Sequence, residues 1–183
     1  MTDPLRIYRP APMDGYEWVL PDDDADFEVL VLEDSAVSAW PTPAVHLLRS
    51  DEGQSLRRAD MPWSGRHALV LRDDAVEEVG NLLWEFGDLL RLSSGEARLT
   101  IFAARAVAGA LDTGASDIVR FDSGEVMDLR RPVFHPTIAG AGAFRLSEFR
   151  RGALYLTQDL VDAIRETGLS SGTDFKLVYE SPS

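Results

Sequence analysis

Between Ala153 and Tyr179 the apolar residues change their spacing twice, and this stretch constrains the fold more than any other part of the 183-residue chain. Leu154 and Leu156 alternate with Tyr155 at the two-residue period of a strand. After Thr157 the spacing becomes helical. Leu160, Val161 and Ile164 fall on one face, Thr157 stands at the N-cap, and Gly168 is suited to the left-handed turn that ends a helix. Leu169 is then placed to pack back on Ile164. Phe175, Leu177 and Tyr179 resume the alternation of a closing strand. A strand, a capped amphipathic helix and a second strand must share a buried face, so the pattern predicts an α+β fold.

The rest of the chain fits that class, with largely antiparallel sheet and two short amphipathic helices. Leu5–Tyr8 reads as a strand, and Tyr16–Leu20 and Phe27–Leu32 read as a hairpin across Pro21–Asp26. Residues 40–64 mix Pro41, Pro43, Gly53 and Pro62 with charges and show no steady period. Ala68–Leu71 predicts a strand that enters a second helix. There Asp74 and Glu77 resemble a capping box, Val76, Val79, Leu83 and Phe86 form the apolar face, and Gly87 is expected to end it in the left-handed region. Trp84 on this helix is expected in the core. Asp88–Leu92 and Arg98–Phe102 follow as strands, Ile118–Phe121 and Val126–Leu129 as a hairpin turning at Gly124, and Val133–Phe144 as extended chain. The chain divides into an irregular, β-rich part over residues 1–65 and an α+β core over residues 66–183, expected to form one compact unit.

Composition narrows the function classes. The chain has no cysteine, which removes disulfides, thiolate metal sites and cysteine nucleophiles together. Neither the amino terminus nor any later apolar run has the length of a signal peptide or a membrane span, so a cytoplasmic protein is expected. Thirty-one acidic residues against 18 basic ones give a net charge of −13. A field of that sign repels nucleic acid and anionic membranes and draws cationic partners. The acid is concentrated in Asp22, Asp23, Asp24, Asp26, Glu28, Glu33 and Asp34. The base is concentrated in Arg120, Arg130, Arg131, Arg145, Arg150 and Arg151. One face is therefore expected to be anionic and another cationic, unless these arginines pair with the excess acid of the same molecule.

No constellation of catalytic side chains stands out. Asp22, Asp24, Asp26 and Glu33 match positions 1, 3, 5 and 12 of a calcium loop, but Phe27 occupies the position that needs glycine. His46, His67 and His135 are far apart in sequence and have no metal-ligand spacing. His135 with Asp117 or Asp128 lacks the nucleophile elbow that would support a hydrolytic triad. A dispersed pair of carboxylates, as in a small hydrolase or lyase, leaves no sequence signature, and that alternative stays open. Tryptophan, by contrast, is enriched where protein partners bind strongly. Trp40 and Trp63 sit in irregular, proline-bearing segments and are candidate partner contacts. No metal or cofactor is expected.

The chain from Asp60 onward resembles a family of bacterial polymorphic-toxin immunity proteins named for a myxobacterial prototype. The resemblance rests on Asp60, Met61, Pro62 and Trp63, on Ala68–Leu71 entering a helix, on Leu89–Leu92, and on Val133 and Phe134. Its strongest piece is Gly152–Thr157, Asp162 and Ala163, Gly168 and Leu169, and Phe175–Val178. The segment Ser170–Thr173 is longer than the tight turn usual there. The resemblance implies a non-enzymatic protein that binds and neutralises a cognate toxin. For an acidic member, a cationic toxin such as a nuclease suits the charge, because opposite charge speeds encounter. The expected contact residues are Asp22, Asp23, Asp24 and Asp26, or the helix start at Asp73, Asp74, Glu77 and Glu78, with Trp40 and Trp63. A protein-binding module unrelated to toxins is the other alternative.

Overall fold

The computed structural model describes residues 3–149 and 151–182, so Arg150 of the basic stretch lies outside the described residues. The fold is α+β, with mostly antiparallel sheets and short helices. The largest sheet has five strands. β1 (Arg6–Pro12) lies between β14 (Thr173–Glu180) and β13 (Tyr155–Thr157), antiparallel to both. β12 (Ala143–Leu146) continues the sheet beyond β13, and β9 (Ala106–Val107) closes it with a parallel pairing.

A three-stranded antiparallel sheet holds β8 (Leu99–Ala104) between β6 (Leu69–Arg72) and β7 (Gly87–Leu92). Three two-stranded ribbons complete the β structure: β2 (Trp18–Pro21) with β3 (Val45–Leu48), β4 (Ser50–Asp51) with β5 (Gln54–Ser55), and β10 (Asp117–Arg120) with β11 (Val126–Arg131). The helices are α1 (Phe27–Leu30), α2 (Asp34–Ser38), α3 (Asp74–Glu78), α4 (Gly80–Leu83) and α5 (Gln158–Glu166).

β6, β8, β12 and β13 are buried on both faces and so divide the interior into three packed layers. Alternate side chains of a strand point to opposite faces. In β8, Phe102 and Ala104 face a central core that also contains Leu69, Leu71, Leu83, Val161 and Ile164, while Leu99, Ile101 and Ala103 face a second core under β2 and β3. On the far side of the central core, Leu154 and Leu156 point inward and Tyr155 points outward. Tyr155 joins a third core with Ile7, Phe134 and Phe144, covered by the β10–β11 hairpin. Phe134 meets Phe144 and Tyr155 edge-on at 5.8 and 5.1 Å, a favoured aromatic geometry.

The closing strand–helix–strand is present where the spacing places it. Gly168 (φ +70°) ends α5, and Gly124 (φ +89°) turns the β10–β11 hairpin. Thr157 holds the N-cap position, with the extended backbone usual there and paired with Ile7 in the sheet, but makes no side-chain capping bond. The alternation of β14 breaks. Tyr179 pairs with Ile7 and Leu177 with Tyr8, which leaves Val178 as an extra residue in a bulge. Leu177 is thereby turned out to solvent at 42% exposure.

Other expectations are corrected. Phe27–Leu32 is not a strand: a turn at Asp24–Asp26, capped by Asp23 onto the Ala25 amide, runs into α1, and β2 pairs instead with β3. The single helix expected after β6 is broken into α3, α4 and a last tight turn at Trp84–Phe86. The capping box at Asp74 is absent. Asp73 holds the cap position without a capping bond, its carboxylate being held by arginines, and Glu77 bonds Arg98. Trp84 is 60% exposed: one residue beyond Leu83 is about 100° around the helix, off the face shared by Ala75, Val79 and Leu83. Gly87 is extended (φ 176°) rather than left-handed. Close approach of β8 is what requires glycine there, since a Cβ would lie 2.2 Å from the Ala103 carbonyl oxygen. Residues 133–144 contain a turn of tight helix at Pro136–Ile138 before β12 begins.

Candidate partner-binding surface

β2 supplies the site its main apolar element. Glu17 and Val19 are buried, so Trp18 between them points outward and is 40% exposed. Trp18 lies opposite Leu48 of β3 on one side and beside Trp63 on the other, through a parallel bridge in which the Val19 amide donates to the Trp63 carbonyl at 2.8 Å. Residues bridged across neighbouring strands share a face. Leu48, Trp18 and Trp63 therefore form a row across three chain segments.

The acidic run begins where β2 ends. Asp22 Oδ1 lies 2.7 Å from His46 Nδ1, and Asp23 is occupied by its own turn. Asp24 and Asp26 have no ion-pair partner among the described residues, and Phe27, which follows them, is exposed. Beyond Phe27 the charge is neutralised. Arg151 bonds both Glu28 (2.6 Å) and Glu33 (3.1 Å), and these carboxylates push the Arg151 guanidinium pKa up. The buried Arg145 reaches Asp34 at 3.3 Å and also donates to the Leu32 and Ala104 carbonyls. Much of the acidic run is thus paired with the downstream arginines.

The second acidic run is more thoroughly tied. Burial works to raise the Asp73 pKa, but the Arg98 amide and the Arg58 and Arg72 guanidiniums outweigh it and hold the carboxyl below its usual range. Glu77 is held down by its hydrogen bonds from Arg98. Arg72 in turn bonds the buried Glu17, whose carboxylate also accepts the Ala59 amide at 3.1 Å. Asp74 and Glu78 are exposed and have no ion-pair partner among the described residues. Asp73 and Glu77 therefore act as connectors between segments, and Asp74 and Glu78 as free surface charge.

Of the two tryptophans singled out in sequence, Trp63 is half-buried within the outward-facing row. Trp40 packs against the second core and donates its indole N–H to the Arg91 carbonyl at 2.7 Å, which gives it a structural task. Sequence reasoning did not select Trp18 as a contact; its signal is the strand period, with apolar Val19 turned inward next to it. The histidines do not converge. His67 is half-buried and hydrogen-bonds the Leu30 carbonyl, His46 faces Asp22, and His135 is exposed. Asp128 lies 3.8 Å from Arg66 instead of serving His135. An open groove of about 530 Å³ is lined by Glu33, Glu125 and Glu148 with Arg120 and Arg151. In it Glu33 bonds Arg151 and Glu148 bonds the Gly109 amide.

No protein-family model matches the chain, and no curated protein matches it. Among the described residues no helix is long and apolar enough to cross a membrane.

Proposed function

We propose that this is a non-enzymatic immunity protein that binds a cognate bacterial toxin in the cytoplasm of the producing cell and holds it inactive. The observation that carries the reading is the outward row of Leu48, Trp18 and Trp63 at the start of β2, whose other end leads into the unpaired Asp24 and Asp26. An exposed tryptophan on a strand that leads into free carboxylates suits a partner with a cationic rim and an apolar pocket: charge steers the encounter and the indole anchors it. The resemblance of the segment from Asp60 to Val178 supplies the toxin as the partner class. A cationic enzyme such as a nuclease matches the charge.

The test is recovery of the tagged protein from its native host, followed by expression of each stoichiometric partner alone. A partner that is lethal alone and harmless when co-expressed supports the reading. Trp18→Ala should then weaken the complex at least tenfold, and Asp24→Lys with Asp26→Lys should slow association and flatten its salt dependence. Recovery of the chain without a lethal partner from toxin-producing cells refutes the proposal. An unchanged affinity in Trp18→Ala refutes the placement on β2.

A further inference from the structure

Against a net charge of −13, one groove is cationic. Arg9 of β1, Arg66, Arg130 of β11 and Lys176 of β14 line a cleft of about 360 Å³ beneath the β10–β11 hairpin, with Asp128 as its acid. Four cations and one carboxylate give the lining a formal charge of +3 (4 − 1). Arg66 stands 3.8 Å from Asp128, beyond hydrogen-bonding distance. Arg9, Arg130 and Lys176 have no carboxylate within ion-pair distance among the described residues.

Two features go beyond a loose surface cluster. Arg9 and Lys176 are direct cross-strand partners, an arrangement of like charges that destabilises a sheet unless something neutralises it. The floor of the groove is Tyr155, which is 4% exposed, with its ring packed between Phe134 and Phe144. Its hydroxyl makes no hydrogen bond to another described residue and, since no fully buried side-chain oxygen among them is left unpartnered, it opens into the groove. Burial pushes its pKa up to about 12, so at neutral pH it is a fixed O–H donor among the charges of Arg66, Arg9 and Asp128.

We infer that this groove is a binding site for a phosphate group, held by the Arg9, Arg66, Arg130 and Lys176 cations over the Tyr155 hydroxyl. A compact dianion offers several acceptor oxygens to forked guanidinium donors, accepts the Tyr155 O–H that opens into the groove, and removes the repulsion between Arg9 and Lys176. None of the residues lining the groove belongs to β2 or to the acidic run, and the inference does not depend on the toxin-binding proposal.

The experiment is calorimetric titration of the full chain with inorganic phosphate and with a nucleoside monophosphate, using chloride at matched ionic strength as the control. The expected result is saturable 1:1 binding that Lys176→Gln with Arg9→Gln weakens at least tenfold and Tyr155→Phe weakens severalfold. Thermal melts keep the test independent of folding: neutralising the Arg9–Lys176 pair should leave the ligand-free melting temperature unchanged or raised while removing the rise caused by phosphate. Equal affinity for the two probes assigns the site to the phosphate group itself, and tighter binding of the monophosphate assigns it to a nucleotide. A non-saturating response equal to that of chloride, or binding unaffected by the double substitution, overturns the inference.

Discussion

Glu17 and Arg72 form the most deeply placed ion pair described, at 5% and 8% exposure, and their substitution gives a sharp test of the packing argument. Glu17→Leu leaves the Arg72 guanidinium in the same enclosure with only the half-exposed Asp73 as a counter-charge, and it leaves the Ala59 amide without its acceptor. Breaking a buried pair from one side costs about 3–5 kcal/mol, because the surviving charge is desolvated and uncompensated. For a chain of this size about 2–4 °C of melting temperature accompanies each kcal/mol, so the loss should be on the order of 10 °C. Arg72→Met should cost less, because the Glu17 carboxylate keeps Arg49 at 3.7 Å and the Ala59 amide. The double variant Glu17→Leu with Arg72→Met should recover the part of the loss that comes from the stranded guanidinium, while the Ala59 amide stays without its acceptor. The assay is urea unfolding of the four proteins, read as a double-mutant cycle. A loss below about 1 kcal/mol for Glu17→Leu, the value of an exposed pair, would refute the claim that water is excluded from this site.

Three further outcomes follow from individual side chains. His67 has its pKa lowered, first by burial and then by Arg145 and Arg66. The unfolded chain therefore binds the proton more readily, and stability should begin to fall as pH drops below 6.5, by up to about 1.4 kcal/mol per pH unit. His67→Gln should abolish that slope in urea titrations between pH 7 and 5, whereas the depressed pKa values of Asp73 and Glu77 act in a lower window, below the ordinary carboxylate pKa values. Gly87→Ala should destabilise by at least the roughly 1–3 kcal/mol of ordinary overpacking, because its Cβ meets main chain, which cannot rotate away as a side chain can; thermal melts check this. Arg145→Met should raise hydrogen exchange selectively in residues 27–38, since Arg145 holds the Leu32 carbonyl and Asp34 to the sheet.

The parts of the fold legible in the sequence are those where one residue sets one local outcome. The helical face of Leu160, Val161 and Ile164, and the turns at Gly124 and Gly168, depend on spacing and backbone preference over a few residues. What was not legible depends on pairing across the chain. Phe27–Leu32 has a composition equally suited to strand or helix, and it becomes α1 because β2 takes its partner from residues 45–48 instead. The bulge at Val178 follows from the register between β1 and β14, which no window within β14 contains. Trp84 is outside for a simpler reason. At about 100° per residue, the period that puts Ala75, Val79 and Leu83 on one face puts Trp84 off it.

The same distinction governs the charges. A run of acids in sequence predicts a free field only after the intramolecular partners are subtracted, and those partners come from more than 100 residues away: Arg145 to Asp34, and Arg151 to Glu28 and Glu33. Subtraction leaves Asp24 and Asp26 in the turn that follows β2, and Asp74 and Glu78 at the two ends of α3. It also leaves four cations around Tyr155, although the arginines concentrated between residues 120 and 151 supply only Arg130 to that groove. Arg9, Arg66 and Lys176 come from three other parts of the chain, and β1, pinned between β13 and β14, brings the first and last of them together. A net charge of −13 therefore says little about any one face. The cationic groove is built from β1, β11, β14 and Arg66, while the unpaired acids follow β2 or lie on α3, and at physiological salt charges farther apart than about 8 Å are largely screened from one another.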